Sequence, residues 1–305
     1  MRLDPETSLT LNGVPVQPES VARLSAADRD VDLAEQLDRD GYLLLRGVHD
    51  PVEVEAARQE VLHRLAEVGE VRDPIESGIA SGTSRRREAY PTKQQMGEFW
   101  CSVSEGKAVR SVINGPRITR VMGQLFDEPA SHFSFAWLRA MARGRASPLH
   151  IDHPYMNRGS ARLVTCWSPL CDISLNEGPL YILEGSHNWA DMRQKFEGHD
   201  VDRDPSRPGH IEEHPIALTG RKQSRFLTTE FKLGDCLVFG MFTVHGSFDN
   251  NSKSGRIRLS CDTRFQPAAD PMDERFSGPN PPAHNGLGYS CLSASLPMTE
   301  TGELR

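Results

Sequence analysis

From Arg256 to Phe265 the chain alternates without a break. Arg256, Arg258, Ser260, Asp262 and Arg264 fall on one side, and Ile257, Leu259, Cys261, Thr263 and Phe265 on the other. Alternation with a period of two is a β-strand with two unlike faces. It requires a sheet that packs one face in a core while the other meets water or a polar cavity. The segment before it supplies another strand: Gly234-Asp235 opens an apolar, β-branched run, Cys236 to Val244, that ends on His245.

More strands are expected at His132–Met141, Arg162–Leu170, Pro179–Leu183 and Phe226–Lys232, separated by turn-rich segments such as Asn176-Glu177-Gly178-Pro179 and Asp249-Asn250-Asn251. Helices come earlier. Val31–Arg39 reads as a short helix stopped at Gly41, followed by a strand at Tyr42–Arg46. Asp50-Pro51-Val52-Glu53 gives an N-cap, a proline at the first helical position and a glutamate at the third. The helix it opens carries Val54, Ala57, Val61, Leu65 and Val68 on one face, and Pro116–Phe126 repeats the pattern. Residues 70–112, with Gly78, Gly82 and Pro91, read as a long irregular stretch.

Helices first and strands afterwards predict a mostly β fold with flanking helices, a β-sandwich or jelly roll. The expected organisation is one domain over residues 1–305. It comprises a mainly helical flank and loop cover (1–130), a jelly-roll core (131–267) and a C-terminal tail rich in Pro and Gly (268–305).

Charge narrows the function classes. With 35 Lys and Arg against 42 Asp and Glu, the net charge of −7 argues against a general nucleic-acid or anionic-membrane binder. No segment approaches the ~20 apolar residues of a membrane span, and Met1–Ser8 lacks the pattern of a signal peptide. Six cysteines (Cys101, Cys166, Cys171, Cys236, Cys261 and Cys291), none in a CxxC pair, fit reduced residues of a cytoplasmic protein.

His150-Ile151-Asp152 places an imidazole and a carboxylate two residues apart. In an extended segment both project from one face with Cα atoms roughly 6.5–7 Å apart, close enough to share an ion. A third ligand has to come from a neighbouring strand, and His245 fits. Two neutral nitrogens and one carboxylate leave octahedral positions open, the arrangement of non-haem iron(II) oxygenases. Arg256, eleven residues after His245, offers a guanidinium fork for the distal carboxylate of a 2-oxo dicarboxylate.

His150-x-Asp152, Asn176-Glu177-Gly178-Pro179-Leu180, Gly185-Ser186-His187 and the His245–Arg256 spacing together resemble the phytanoyl-CoA dioxygenase family of iron(II)/2-oxoglutarate oxygenases. The opening Asp40-Gly41-Tyr42-Leu43-Leu44-Leu45-Arg46-Gly47 is similar to that family's opening too, and the likeness covers roughly residues 30–267. The resemblance implies a double-stranded β-helix (a cupin-like jelly roll), with iron on His150, Asp152 and His245. It also implies 2-oxoglutarate held by Arg256 with help from Thr165. The activity it implies is a dioxygenase that hydroxylates a C–H bond of a small molecule with O2, releasing succinate and CO2. Because Asp152 fills its ligand place, halogenation is disfavoured.

Several other residues carry plainer expectations. Arg85-Arg86-Arg87 is expected to be a solvated patch or, in a lid, a hook for an anionic substrate. His187 is expected to bond a loop, His153 to face away from the metal, and Trp137 to sit in the core, while Arg139 on the same strand face is a candidate to meet an anionic substrate group. Two rival functions differ in kind. One is a cupin-like metal-dependent isomerase or dioxygenase that makes no use of 2-oxoglutarate. The other is a non-catalytic jelly-roll binding protein. A zinc hydrolase is disfavoured by the lack of an HExxH or a Cys/His cluster. The oligomeric state is left open.

Overall fold

In a computed structural model of the protein, which describes residues 8–28, 30–285 and 295–300, local chemistry sets the first helix. Asp32 caps it by accepting from the backbone N–H groups of Ala34 and Glu35, and Gly41 ends it in a left-handed conformation (φ 77°). Cys291 and much of the expected tail lie outside the described residues. The chain opens with a hairpin, β1 (Thr10–Leu11) and β2 (Val14–Pro15), and a strand β3 (Val21–Arg23). Then come α1 (Leu33–Asp40), β4 (Tyr42–Leu45) and α2 (Pro51–Glu67). Asp50 caps α2 as expected, and its buried face is Val54, Ala57, Val61, Leu62 and Leu65.

The stretch expected to be irregular is instead largely helical: α3 (Arg86–Ala89), α4 (Lys93–Ser104) and α5 (Lys107–Ile113). Thr92 and Gln95 form a reciprocal capping box at the start of α4. The helix buries Met96, Phe99, Trp100 and Val103, and that burial stabilises it against the glycines nearby. α6 (Pro116–Phe126) has the expected bounds.

Strands β5 (Ala130–His132), β6 (Trp137–Met141), β7 (Val164–Pro169) and β8 (Leu180–Leu183) come next. After α7 (Ala190–Phe196) and α8 (Pro215–Lys222) are β9 (Phe226–Thr228), β10 (Cys236–Gly240), β11 (His245–Ser247) and β12 (Arg258–Pro267). The larger sheet runs β4-β10-β7-β12-β5, with β6 also on β12, and the smaller runs β11-β8-β9-β3. The expected strand Cys236–His245 is therefore two strands. After Gly240 the chain leaves the large sheet, and His245 starts a strand of the small one. His132–Met141 likewise divides, β5 and β6 pairing different stretches of β12.

The two sheets form a jelly roll. Trp167, Leu237 and Phe239 of the large sheet share one buried cluster with Leu180, Ile182 and Leu227 of the small sheet. Outside the large sheet, Leu43, Val164, Cys166, Val238 and Phe265 pack with Ile118, Met122 and Leu125 of α6. Every residue of β12 is consequently buried. The polar side of its alternation faces the interior between the sheets. Among the described residues no helix is long and apolar enough to cross a membrane.

Candidate metal centre

His150 and His245 are direct cross-strand neighbours. Each backbone N–H donates to the other's carbonyl at 3.0 Å, so the pair bridges the start of β11 to the segment before Asp152. That segment is not a continuing strand. Asp152 has helical backbone angles (φ −78°, ψ −23°) and leads into a short 3-10 turn, His153–Tyr155. The turn, more than strand parity, brings the carboxylate round to the histidines. Ile151 between them is fully buried.

The three side chains meet. One ligand atom from each lies within 4.8 Å of the others, and all three residues are at most 5% exposed. His150 Nδ1 bonds the Pro148 carbonyl at 2.9 Å and His245 Nδ1 the Thr243 carbonyl at 3.0 Å. A carbonyl only accepts, so each ring carries its proton on Nδ1 and turns the Nε2 lone pair inward. These Nε2 atoms stand 3.6 Å and 4.0 Å from Asp152 Oδ1. Burial, then the neighbouring His150, pushes the His245 pKa down to about 3, which keeps that imidazole neutral. For Asp152 burial acts upward, but the Arg264 guanidinium, first among the opposing causes, helps hold the carboxyl well below its ordinary value. Two imidazoles and a carboxylate converging in this way fit a divalent cation with positions left open.

Thr165 lies beside this group, in a different place from the one expected. Its hydroxyl donates to Asp152 Oδ2 at 2.5 Å, and Arg264 Nη2 donates to the same oxygen at 3.0 Å. Thr165 thus bonds the Asp152 carboxylate, whereas the expectation set it beside Arg256.

Arg256 is elsewhere. Its Nε and Nη2 donate to the Glu177 carboxylate at 2.7 Å each, and Nη2 also reaches the Asp172 carbonyl. It precedes the start of β12, and its backbone bridges Ile79, not a strand carrying His245. The Asn176-Glu177-Gly178 turn, bridged to Asn250, supplies the acid that neutralises it.

Arg258, two residues further on, turns its guanidinium into the interior. It is 2% exposed, donates through Nη1 to Ser260 Oγ at 3.3 Å, and leaves Nε and Nη2 without partners among the described residues. Burial, with Arg139 nearby, lowers its pKa to about 10, so the charge persists at neutral pH. Arg258 lines a narrow cavity with His150, His245, Ser147, Ser247 and Phe239. Alternation puts Arg258 on the same strand face as Arg256, and Glu177 is the sequence signal that could have separated the two.

Arg86 is fully buried, pairing with Glu70 at 2.5 Å and donating to the Ser295 and Leu296 carbonyls. Arg87 pairs with Glu300. Arg86 is therefore an internal tie and Arg87 forms an exposed surface pair, so neither offers an unpaired hook for an anionic substrate. His187 bonds the Asp38 carbonyl at 3.2 Å, Trp137 is buried, and Arg139 pairs with Asp262 at 3.3 Å. His153 stacks on Phe242, with centroids 4.4 Å apart.

Two curated Streptomyces proteins named 1-deoxypentalenic acid 11-beta-hydroxylase are similar to the chain. The one from Streptomyces exfoliatus is 28% identical over 278 residues, covering 87% of this chain and 91% of that one. The one from Streptomyces arenae is 27% identical over 241 residues, covering 76% and 79%. Among solved structures, the epimerase SnoN with Fe3+, alpha ketoglutarate and nogalamycin RO superposes with a TM-score of 0.52 at 22% identity, over 90% of this chain and 92% of that one. The non-heme alpha ketoglutarate dependent carbocyclase SnoK gives 0.53 at 18%, over 82% and 89%. These likenesses support the jelly-roll fold. The model of the phytanoyl-CoA dioxygenase family matches residues 37–258, which takes in all three converging side chains, and the chain belongs to that family.

Proposed function

We propose that the protein is an iron(II)- and 2-oxoglutarate-dependent dioxygenase that hydroxylates a C–H bond of a small molecule. The observation that carries this reading is that Arg258, with two nitrogens unbonded among the described residues, lines the same cavity as His150 and His245, whose side chains converge with Asp152. Hydroxylation is also what the names of the two Streptomyces relatives state for those proteins.

In this reading His150 Nε2, His245 Nε2 and an oxygen of Asp152 hold the iron. When bound, iron and 2-oxoglutarate use O2 to place one oxygen atom on the substrate while the co-substrate leaves as succinate and CO2. The protein's own part is binding, orientation and exclusion of water. Backbone carbonyls fix the tautomer of both imidazoles. Arg258, whose Nε and Nη2 have no partner among the described residues, would hold the distal carboxylate of the co-substrate by a charge-assisted contact. Trp167, Leu180 and Phe239 wall that cavity and keep the contact in low dielectric, where it is strongest. Arg256, already neutralised by Glu177, takes no part.

The test is anaerobic titration with iron(II) and 2-oxoglutarate, monitored through the weak visible charge-transfer band, then succinate formation in air with candidate small molecules. A band that needs both components and succinate coupled to O2 uptake are expected. A metal-dependent turnover without succinate would transfer the protein to the cupin-like isomerase or dioxygenase reading.

A further inference from the structure

Thr165 on β7 and Arg264 on β12 are register partners in adjacent strands, and both side chains converge on a single atom. Asp152 Oδ2 accepts from the Thr165 hydroxyl at 2.5 Å and from Arg264 Nη2 at 3.0 Å. Its twin, Oδ1, is the oxygen that faces the imidazoles, at 3.6 Å and 4.0 Å. One oxygen of the carboxylate is thereby committed to the protein and the other left to an ion. Arg264 is itself held: it is 1% exposed, lies over the Trp137 ring at 4.1 Å, and has Asp262 at 3.9 Å from Nη1. Its Nε and Nη1, although buried, have no hydrogen-bond partner among the described residues. An arginine serving only as a structural tie is expected to satisfy more of its five donors. Here the side-chain hydrogen bond goes to the metal-site carboxylate.

The geometry points to Thr165 and Arg264 as positioning residues that make Asp152 a one-oxygen ligand by occupying its second oxygen. This rests on the proposed metal site and adds a specific consequence to it. A carboxylate free to swing could bind through both oxygens and take up a coordination position. Two histidines and a one-oxygen carboxylate leave three octahedral positions: two for a chelating 2-oxo acid and one for O2. With Oδ2 engaged twice, the protein keeps those three open. The arrangement also explains a buried positive charge beside a cation site, where repulsion would otherwise argue against it. The arginine aligns the ligand it opposes.

The test uses Co(II) as the probe, without co-substrate, on the full chain and its T165V, R264M and R264K variants. Calorimetry gives the Co(II) Kd, and the visible ligand-field spectrum reports coordination number, which a merely structural role would not move. Loss of such outer contacts typically weakens metal binding by about 10–100-fold. T165V and R264M are expected to weaken Co(II) within that range and to alter the spectrum, with R264K recovering part of both. Thermal unfolding of each metal-free variant checks the fold. Should R264M fail to fold, T165V and R264K decide, since Thr→Val removes the hydroxyl with little change of shape. Folded variants with the wild-type Kd and spectrum would overturn the positioning role alone. A wild-type chain that takes up no Co(II) would overturn the metal site itself, and the positioning role with it.

Discussion

Among single residues, charges facing the interior of the large sheet are matched except at one place. Arg139 has Asp262, Arg264 has Asp152 although its Nε and Nη1 are unbonded, and among the described residues Arg258 has a hydroxyl and no carboxylate within ion-pair distance. A buried guanidinium with two idle nitrogens is costly unless a ligand completes it. Replacing Arg258 by Met should raise the KM for 2-oxoglutarate about 100-fold, the loss of two charge-assisted bonds at roughly 1.5–3 kcal/mol each less what the rest of the contact retains. Arg256→Met should leave that KM within a few-fold and act on stability instead, since it strips Glu177 of its partner. Steady-state succinate assays on both variants separate the two residues. Asp152→Ala should abolish iron binding and turnover together, as measured by iron retention and succinate release. The three metal-site side chains are legible because HxD and the strand-initial histidine are local signals. The cavity arginine is not: which of two same-face arginines enters the cavity depends on Glu177, a residue distant in sequence that folding brings alongside.

Among elements, the parts written in short-range chemistry are readable and the parts written in packing are not. Asp32 and Gly41 bound α1, Asp50 opens α2, and Pro116 opens α6, because caps and prolines act within one turn. The division of Cys236–His245 between two sheets leaves no mark in an unbroken apolar run, because both halves are buried against neighbours supplied from elsewhere in the chain. The helices between residues 86 and 113 are obscured by Gly and Pro, although the Thr92–Gln95 box is there to be read. Arg86 ties this helical segment to residues 295 and 296, with its guanidinium over Phe99 and Trp100 at 5.3 Å and 5.1 Å. Arg86→Met leaves the buried Glu70 carboxylate unpaired and should cost about 3–5 kcal/mol, measured as a fall in the urea midpoint. The double variant Arg86→Met/Glu70→Gln should recover part of that loss.

For the whole molecule, the centre depends on segments far apart in sequence being held together around the jelly roll. One tie joins Arg158, Asp200, Asp202, Asp273 and Arg275. Asp200 sits there at a pKa of about 2: burial acts upward, and Arg158, the Asp202 backbone N–H and Arg275 more than offset it. A folded pKa below the unfolded value of ~3.9 stabilises the fold above that value, and the stabilisation is lost as pH falls from ~4 towards 2. Asp200→Asn should therefore flatten the pH dependence of urea stability in that window. The central claim, that His150, Asp152 and His245 share one ion while Arg258 holds the co-substrate, is tested most directly by a crystal structure with Mn(II) and 2-oxoglutarate under nitrogen. One anomalous peak bonded to all three side chains, with the distal carboxylate forked on Arg258, is expected. A peak lacking any of the three, or a carboxylate bound at Arg256, would contradict it.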